Sequence, residues 1–303
     1  MYGPIAEKLK TGAAIVIDGG TGTDIQRRGV PMDGDTWCAE ANRSHPEIVR
    51  QVHADYIAAG ADVIIANTFA TSPLLFNALG RDDDLLAIDR EAVALARAAA
   101  AGSKVAVAGS ISTMRPLVKG SDRNNLAVEW PKDEACRLFA RKANNLAAAG
   151  VDLLALEMLR DGDYAVLATE AAVATGIPVW AGVSCERNEK GELVGWGRAD
   201  WRFEDLLQRI IAARPHVINV MHTSPNDTDE ALAIVRRHWD GPVGTYPESG
   251  YFRMPDWVFV DIIAPDALVA KSRDWRKAGA SLFGGCCGIG PAHIEALAKE
   301  FKG

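Results

Sequence analysis

The 303-residue chain has no stretch of about 18 or more apolar residues, so no segment is expected to cross a membrane as a helix. It has no surplus of positive charge. The 33 Lys and Arg are outnumbered by 40 Asp and Glu, a net charge of −7, which leaves no basic footprint for nucleic acid or for an anionic membrane surface. The opening "MYGPIAEKLKTG" lacks the apolar core of a signal peptide. Cysteine is scarce: five residues, an odd number, spaced unlike any small secreted scaffold. That usage points to reduced thiols and a cytoplasmic protein. No GxGxxG opens the first helix, which weakens an open dinucleotide-binding sheet as the architecture. No low-complexity linker separates parts of the chain.

What the sequence does have is a repeat. A short apolar run, a turn and an amphipathic stretch recur with a period of roughly 30 to 45 residues, the pattern of βα units. The runs are "AAIVIDGG" (13–20), "ADVIIANTF" (61–69), "KVAVAGSI" (104–111) and "VDLLALEM" (151–158). They continue with "PVWAGVSC" (178–185), "HVINVMHT" (216–223), "PVGTYPES" (242–249) and "ASLFGGCC" (280–287), making eight. Near-continuous Val, Ile, Leu and Ala suits strands covered on both faces, as in a parallel sheet. Three intervening segments end in an "AG(A/V)" signature at Gly60, Gly150 and Gly279, directly before a strand. In the first of them, Ile48, Val52, Tyr56 and Ile57 form the expected apolar face. Eight such units predict one (β/α)8 TIM barrel over residues 1–303.

Barrels of this kind carry their active sites at the C-terminal strand ends. The polar residues expected there are Asp18, Asn67, Thr68, Ser110, Glu157, Ser184, Cys185, His222, Thr223, Glu248, Cys286 and Cys287. The adjacent thiols are the informative pair. Consecutive side chains of a strand point to opposite faces, so Cys286 and Cys287 converge only if the strand stops and the backbone turns. Gly284, Gly285 and Gly288 allow such a turn. Thiolate sulfur and imidazole nitrogen are preferred zinc donors, and a catalytic zinc keeps three protein ligands with one open position. Cys286, Cys287 and His222 form one candidate set, with Cys185 as the rival third ligand. Core packing of inert thiols and a strained vicinal disulfide are the alternatives. Cys38 and Cys136 fall in loop and helix contexts that suggest structural roles.

With these residues assembled, the chain resembles the zinc-dependent homocysteine S-methyltransferases. The likeness is carried by "DGGTGTDIQRRG" (18–29), "WCAEANRSHPEIVRQVHADYIAAGADVIIANTF" (37–69), "LLALEML" (153–159), "TYPESG" (245–250) and "GGCCGIGPAHI" (284–294). The resemblance implies a (β/α)8 barrel that binds Zn2+ and moves a methyl group from a small cationic donor to a small thiol acceptor, usually homocysteine. It implies Cys286 and Cys287 as metal ligands and Asp18 and Glu157 as contacts to the acceptor's amino group. Two positions depart from the family pattern: His222 replaces a third cysteine, and Glu248 replaces an asparagine. A neutral imidazole in place of a thiolate is expected to leave the centre one charge less negative, making a bound thiol more acidic and less nucleophilic. The resulting site comprises His222, Cys286 and Cys287 as catalytic and metal-binding residues. Its substrate-binding residues are Asp18, Gly19, Asn67, Thr68, Glu157, Ser184 and Glu248. Nucleic acid and membrane are not expected as partners, and the chain is compatible with a homo-oligomer.

Two other functions fit parts of this pattern. A zinc hydrolase would use the same His/Cys/Cys set with Glu157 or Glu248 as general base. A binding barrel that has lost its chemistry would show His222 as the mark of a degraded site. Trp37, Trp130, Trp180, Trp196 and Trp201 are expected in or near loops, mostly packing them over the barrel, although a cationic donor would suit such faces.

Overall fold

The computed structural model describes residues 2–121, 123–253 and 258–303. Eight strands form one parallel sheet: Ile15–Val16, Val63–Ala66, Ala106–Ser112, Leu153–Leu159, Val179–Val183, Val217–Met221, Val243–Tyr246 and Leu282–Phe283. Each pairs with its neighbour in chain order, and the first pairs with the eighth through Ile15 and Leu282. A parallel contact between Ile17 and Val63 joins the first strand to the second and closes the ring. The eight strands coincide with the eight apolar runs, as a (β/α)8 barrel requires.

Both faces of the strands are buried, which explains why the runs show little polar alternation. In the fourth strand Leu153 and Ala155 face the barrel interior beside Ile15, Trp180 and Leu282, while Leu154 and Leu156 face the helices. The helix Gly3–Thr11 covers the N-terminal end of the barrel. Its Ile5 joins the interior cluster, and Trp180 Nε1 donates to the Tyr2 hydroxyl at 3.2 Å. Helices stop where the sequence indicates, with Gly60, Gly150 and Gly279 in the left-handed conformation at φ 97, 89 and 98°. On the helix Pro46–Ala58, however, the buried stripe is Val49, Val52, His53 and Tyr56, with Ile48 and Ile57 half-buried at its flanks. A buried histidine at position 53 conceals the true centre of that face.

Two additions lie after barrel strands and were not foreseen in the repeat. A three-stranded antiparallel ribbon, Cys185–Arg187, Leu193–Gly195 and Arg198–Arg202, follows the fifth strand. A hairpin pairing Tyr251–Arg253 with Val258–Val260 follows the seventh. Both build over the C-terminal ends. No helix among the described residues is long and apolar enough to cross a membrane.

Behind the second strand lies a fully buried ion pair. Lys142 Nζ is 2.7 Å from Asp89 Oδ1, and it also donates to the Thr68 and Thr71 carbonyls at 3.0 and 2.8 Å. Burial pushes the Asp89 carboxyl up and the Lys142 ammonium down, and each group opposes the shift of the other. Removing one partner strands the other in a dry environment. Lys142→Met is therefore expected to cost about 3–5 kcal/mol, and Lys142→Met/Asp89→Leu to recover most of it, as measured by urea denaturation.

Candidate active site

The eighth strand ends at Phe283, and the following turn is pinned from both sides. Gly285 N donates to Asp18 O beyond the first strand at 3.0 Å, and Cys286 N donates to Pro247 O beyond the seventh at 2.8 Å. Gly288 then adopts φ 84°, where a Cβ would sit 2.0 Å from the Ser249 carbonyl oxygen. This path turns both cysteines toward one point, with their sulfurs 4.0 Å apart. Both are free thiols.

His222 lies one residue past the sixth strand and faces the same point. Its backbone has φ 44°, a left-handed conformation costing a non-glycine residue on the order of 1 kcal/mol. The strain is held by its N–H donating to Tyr246 O at 3.2 Å and by the edge-on Trp196 ring, whose centroid is 4.9 Å from the imidazole. Nδ1 is 3.3 Å from Cys286 Sγ, and Nε2 is 3.0 Å from Glu248 Oε2. One donor atom each from His222, Cys286 and Cys287 lies within 4.8 Å of the others. A tetrahedral ion about 2.3 Å from each sulfur separates them by about 3.8 Å, so the donor set fits zinc in both type and spacing. Burial, reinforced by Arg160 and Arg123, pushes the imidazolium down to about 3. The ring is therefore neutral near pH 7, the form that ligates. The Cys287 sulfur and burial together push the Cys286 thiol up.

The alternative third ligand is placed elsewhere. Strand alternation turns Ser184 inward and Cys185 outward, into the layer between sheet and helices. Cys185 Sγ lies 3.6 Å from the Thr223 hydroxyl, and burial pushes its thiol up to about 12. Cys136 packs against the core from the helix Lys132–Ala148. Cys38 is buried and donates to Asn67 Oδ1 at 3.2 Å, but it also forms part of the inner cavity wall.

Beside the sulfurs, the inner cavity is bounded by Gly19, Asn67, Phe69, Glu157, Met158 and Met221. Asp18 Oδ2 accepts the Ile65 N–H at 2.7 Å, while Oδ1 is buried without a hydrogen-bond partner. Glu157 Oε2 accepts from the Ser110 hydroxyl. Burial pushes Glu157 up to about 7, and burial with the nearby Glu157 pushes Asp18 well above the usual carboxylate range. Two desolvated carboxyls thus stand close together, one with an orphaned oxygen, and a nearby positive charge would lower the cost of ionising them.

Not every expected contact reaches this cavity. Asn67 lines the cavity, but its amide nitrogen is turned to Cys38 O and Asn42 Oδ1. The Thr68 hydroxyl donates to Ser110 O and accepts the Ser110 N–H, and Ser184 Oγ donates to Met221 Sδ at 3.0 Å. Thr68 and Ser184 are fully buried and line neither cavity. The Thr68 hydroxyl pairs with Ser110 in the barrel wall, and Ser184, turned inward, lies behind the cavity-lining Met221 sulfur.

An outer cavity adjoins the inner one and shares Trp37, Phe69, Met158 and Cys287 with it. Arg160, Trp196 and Phe252 complete its polar and aromatic sides. The Arg160 and Arg123 guanidiniums lie 5.2 and 4.0 Å from the Trp196 ring centre. Of the five tryptophans expected near loops, only Trp37 and Trp196 line this outer cavity. Trp130 Nε1 bonds Asn77, Trp180 is in the barrel floor, and Trp201 packs on Gly162. Sequence reading missed Phe69, Met158 and Arg160 despite their places at the ends of the second and fourth strands. The rule that selected polar groups there passed over apolar neighbours and the residue just beyond the strand. Phe252 sits in the unforeseen hairpin.

The sequence pattern of the homocysteine S-methyltransferase family matches residues 15–301. The chain belongs to the homocysteine S-methyltransferase family. It is an S-methyltransferase of the class that uses a thiol-type acceptor. Homocysteine S-methyltransferase 4 of Zea mays is 27% identical over 97% of this chain and 91% of its own length. Selenocysteine methyltransferase of Astragalus bisulcatus is 28% identical, covering 96% and 93% of the two chains. In fold, the metallated form of homocysteine methyltransferase MmuM from Escherichia coli superposes with a TM-score of 0.77. It is 24% identical and covers 98% of this chain and 99% of that one.

The buried carboxyls of this family member generate a pH prediction. Glu157 titrates near 7 in the folded chain against an ordinary 4.5, so the folded state binds its proton more tightly than the unfolded state. This penalty is absent below the unfolded value and grows as pH rises through the folded one. Glu157→Gln should therefore stabilise the ligand-free protein at pH 8, by up to a few kcal/mol, and change little at pH 4. Thermal melts at both pH values test this.

Proposed function

We propose that this family member is a zinc-dependent enzyme passing a methyl group from a small sulfonium or ammonium donor to homocysteine. The zinc site would comprise His222 Nδ1, Cys286 Sγ and Cys287 Sγ. The observation carrying this reading is their convergence at the edge of the inner cavity, whose wall carries Cys286, Cys287 and the Glu157 carboxyl, with the buried Asp18 carboxyl near Glu157. The acceptor's ammonium group would sit on Asp18 Oδ1 and Glu157, directing its thiol toward the three donor atoms. Zinc, when bound, would supply a soft Lewis acid that lowers the acidity barrier of the thiol at neutral pH. The hydrolase alternative is less well supported, because Glu248 faces His222 and Glu157 accepts from Ser110.

The donor would occupy the outer cavity. Trp37, Phe69 and Phe252 would offer aromatic surface to a cationic methyl group, beside Trp196, whose ring already carries the Arg123 and Arg160 guanidiniums. Arg160 favours a donor that also carries a carboxylate, since a purely cationic molecule meets its repulsion. The cation leaves as a neutral sulfide or amine, so departure requires no general acid. The protein's task is alignment of the sulfur and methyl carbon.

Reduced protein is expected to hold one zinc per chain and to form methyl-labelled methionine from homocysteine and a methyl-labelled sulfonium or betaine. Metal-free protein that takes up no zinc and forms no methionine would remove the proposal. Arg160→Met is expected to raise KM for a carboxylate-bearing donor about tenfold and leave KM for homocysteine nearly unchanged. Equal changes in both values would displace the donor from the outer cavity.

A further inference from the structure

The turn after the seventh strand touches all three donor residues. Pro247 O accepts the Cys286 N–H at 2.8 Å, and Ser249 N donates to Cys287 O at 3.0 Å. Between them, the Glu248 carboxylate lies 3.0 Å from His222 Nε2. A neutral imidazole has one N–H and one lone pair, while an ionised carboxylate only accepts. A hydrogen on Nε2 directed to Glu248 leaves the Nδ1 lone pair facing Cys286, 3.3 Å away. Trp196 restrains the ring from its flank. The carboxylate also places one negative charge beside a neutral donor.

We infer that Glu248 is a positioning residue of the metal centre, holding His222 in the tautomer and tilt that direct Nδ1 to the two sulfurs. This inference rests on the zinc reading above. It assigns Glu248 to the centre instead of the acceptor, and the Pro247–Ser249 turn becomes a template that sets all three donors together. It also revises the charge expectation. Imidazole paired with carboxylate has the same formal charge as one thiolate, so the centre is not one unit less negative. Partners that hold a ligating histidine commonly alter metal affinity by about 10–100-fold when removed.

A double-mutant cycle separates this role from general structural support. Zinc affinity would be measured by chelator competition for wild type, Glu248→Ala, His222→Cys and His222→Cys/Glu248→Ala. Cobalt(II) spectra and thermal melts of the metal-free proteins would accompany these measurements. Glu248→Ala should weaken zinc binding by about 10–100-fold and perturb the cobalt d–d bands, with a nearly unchanged metal-free melt. Glu248→Gln, which retains a hydrogen-bond acceptor, should recover part of the affinity. In the His222→Cys background, loss of Glu248 should change zinc affinity by less than about threefold, because a thiolate needs no tautomer control. Equal losses in both backgrounds, or unchanged metal affinity with a raised KM for acceptor, would overturn the positioning role alone. A wild-type protein that takes up neither zinc nor cobalt would overturn the zinc reading and this role together.

Discussion

Two thiols adjacent in sequence face one point because the barrel turns the chain between them, and the rest of the site depends on that constraint. A strand would send Cys286 and Cys287 to opposite faces. The eighth strand instead stops at Phe283, and hydrogen bonds to Asp18 O and Pro247 O pin the following residues. Closure of the ring through Ile17 and Val63 keeps the first strand close to the cysteine loop. The fold's topology and the convergence of the sulfurs are therefore one fact.

Around that point the molecule tolerates features a purely structural barrel would avoid. His222 has a left-handed backbone, Asp18 keeps a buried oxygen without a protein partner, and Glu157 is a desolvated carboxyl. Each carries a free-energy cost in the folded chain. The Lys142–Asp89 pair differs because its charges already satisfy one another and brace the wall behind Thr68.

The barrel was legible because all eight strands are covered on both faces and therefore appear as continuous apolar runs. Gly60, Gly150 and Gly279 marked helix ends through their left-handed geometry. Cys286, Cys287, His222, Asp18 and Glu157 were found by their positions at strand ends. The contact between Glu248 and His222 was not, because strand order says which residues share a rim but not which side chains meet. Thr68 and Ser184 satisfied the same rim rule, but their hydroxyls are engaged by Ser110 and Met221 and neither residue lines the inner cavity. The ribbon after Cys185 and the hairpin after Gly250 lack the period of the repeat, so their contribution to the outer cavity became clear only in three dimensions.

The helix Gly3–Thr11 has a consequence for the placement of the two cavities. With Ile5, Tyr2 and Trp180 packed into the lower end, both cavities lie at the opposite end of the strands, and they share Trp37, Phe69, Met158 and Cys287 as a common wall. A molecule in either cavity therefore meets residues that also face the other. With the proposed assignments, acceptor and donor would meet across that wall, each helping to shape the seat of the other.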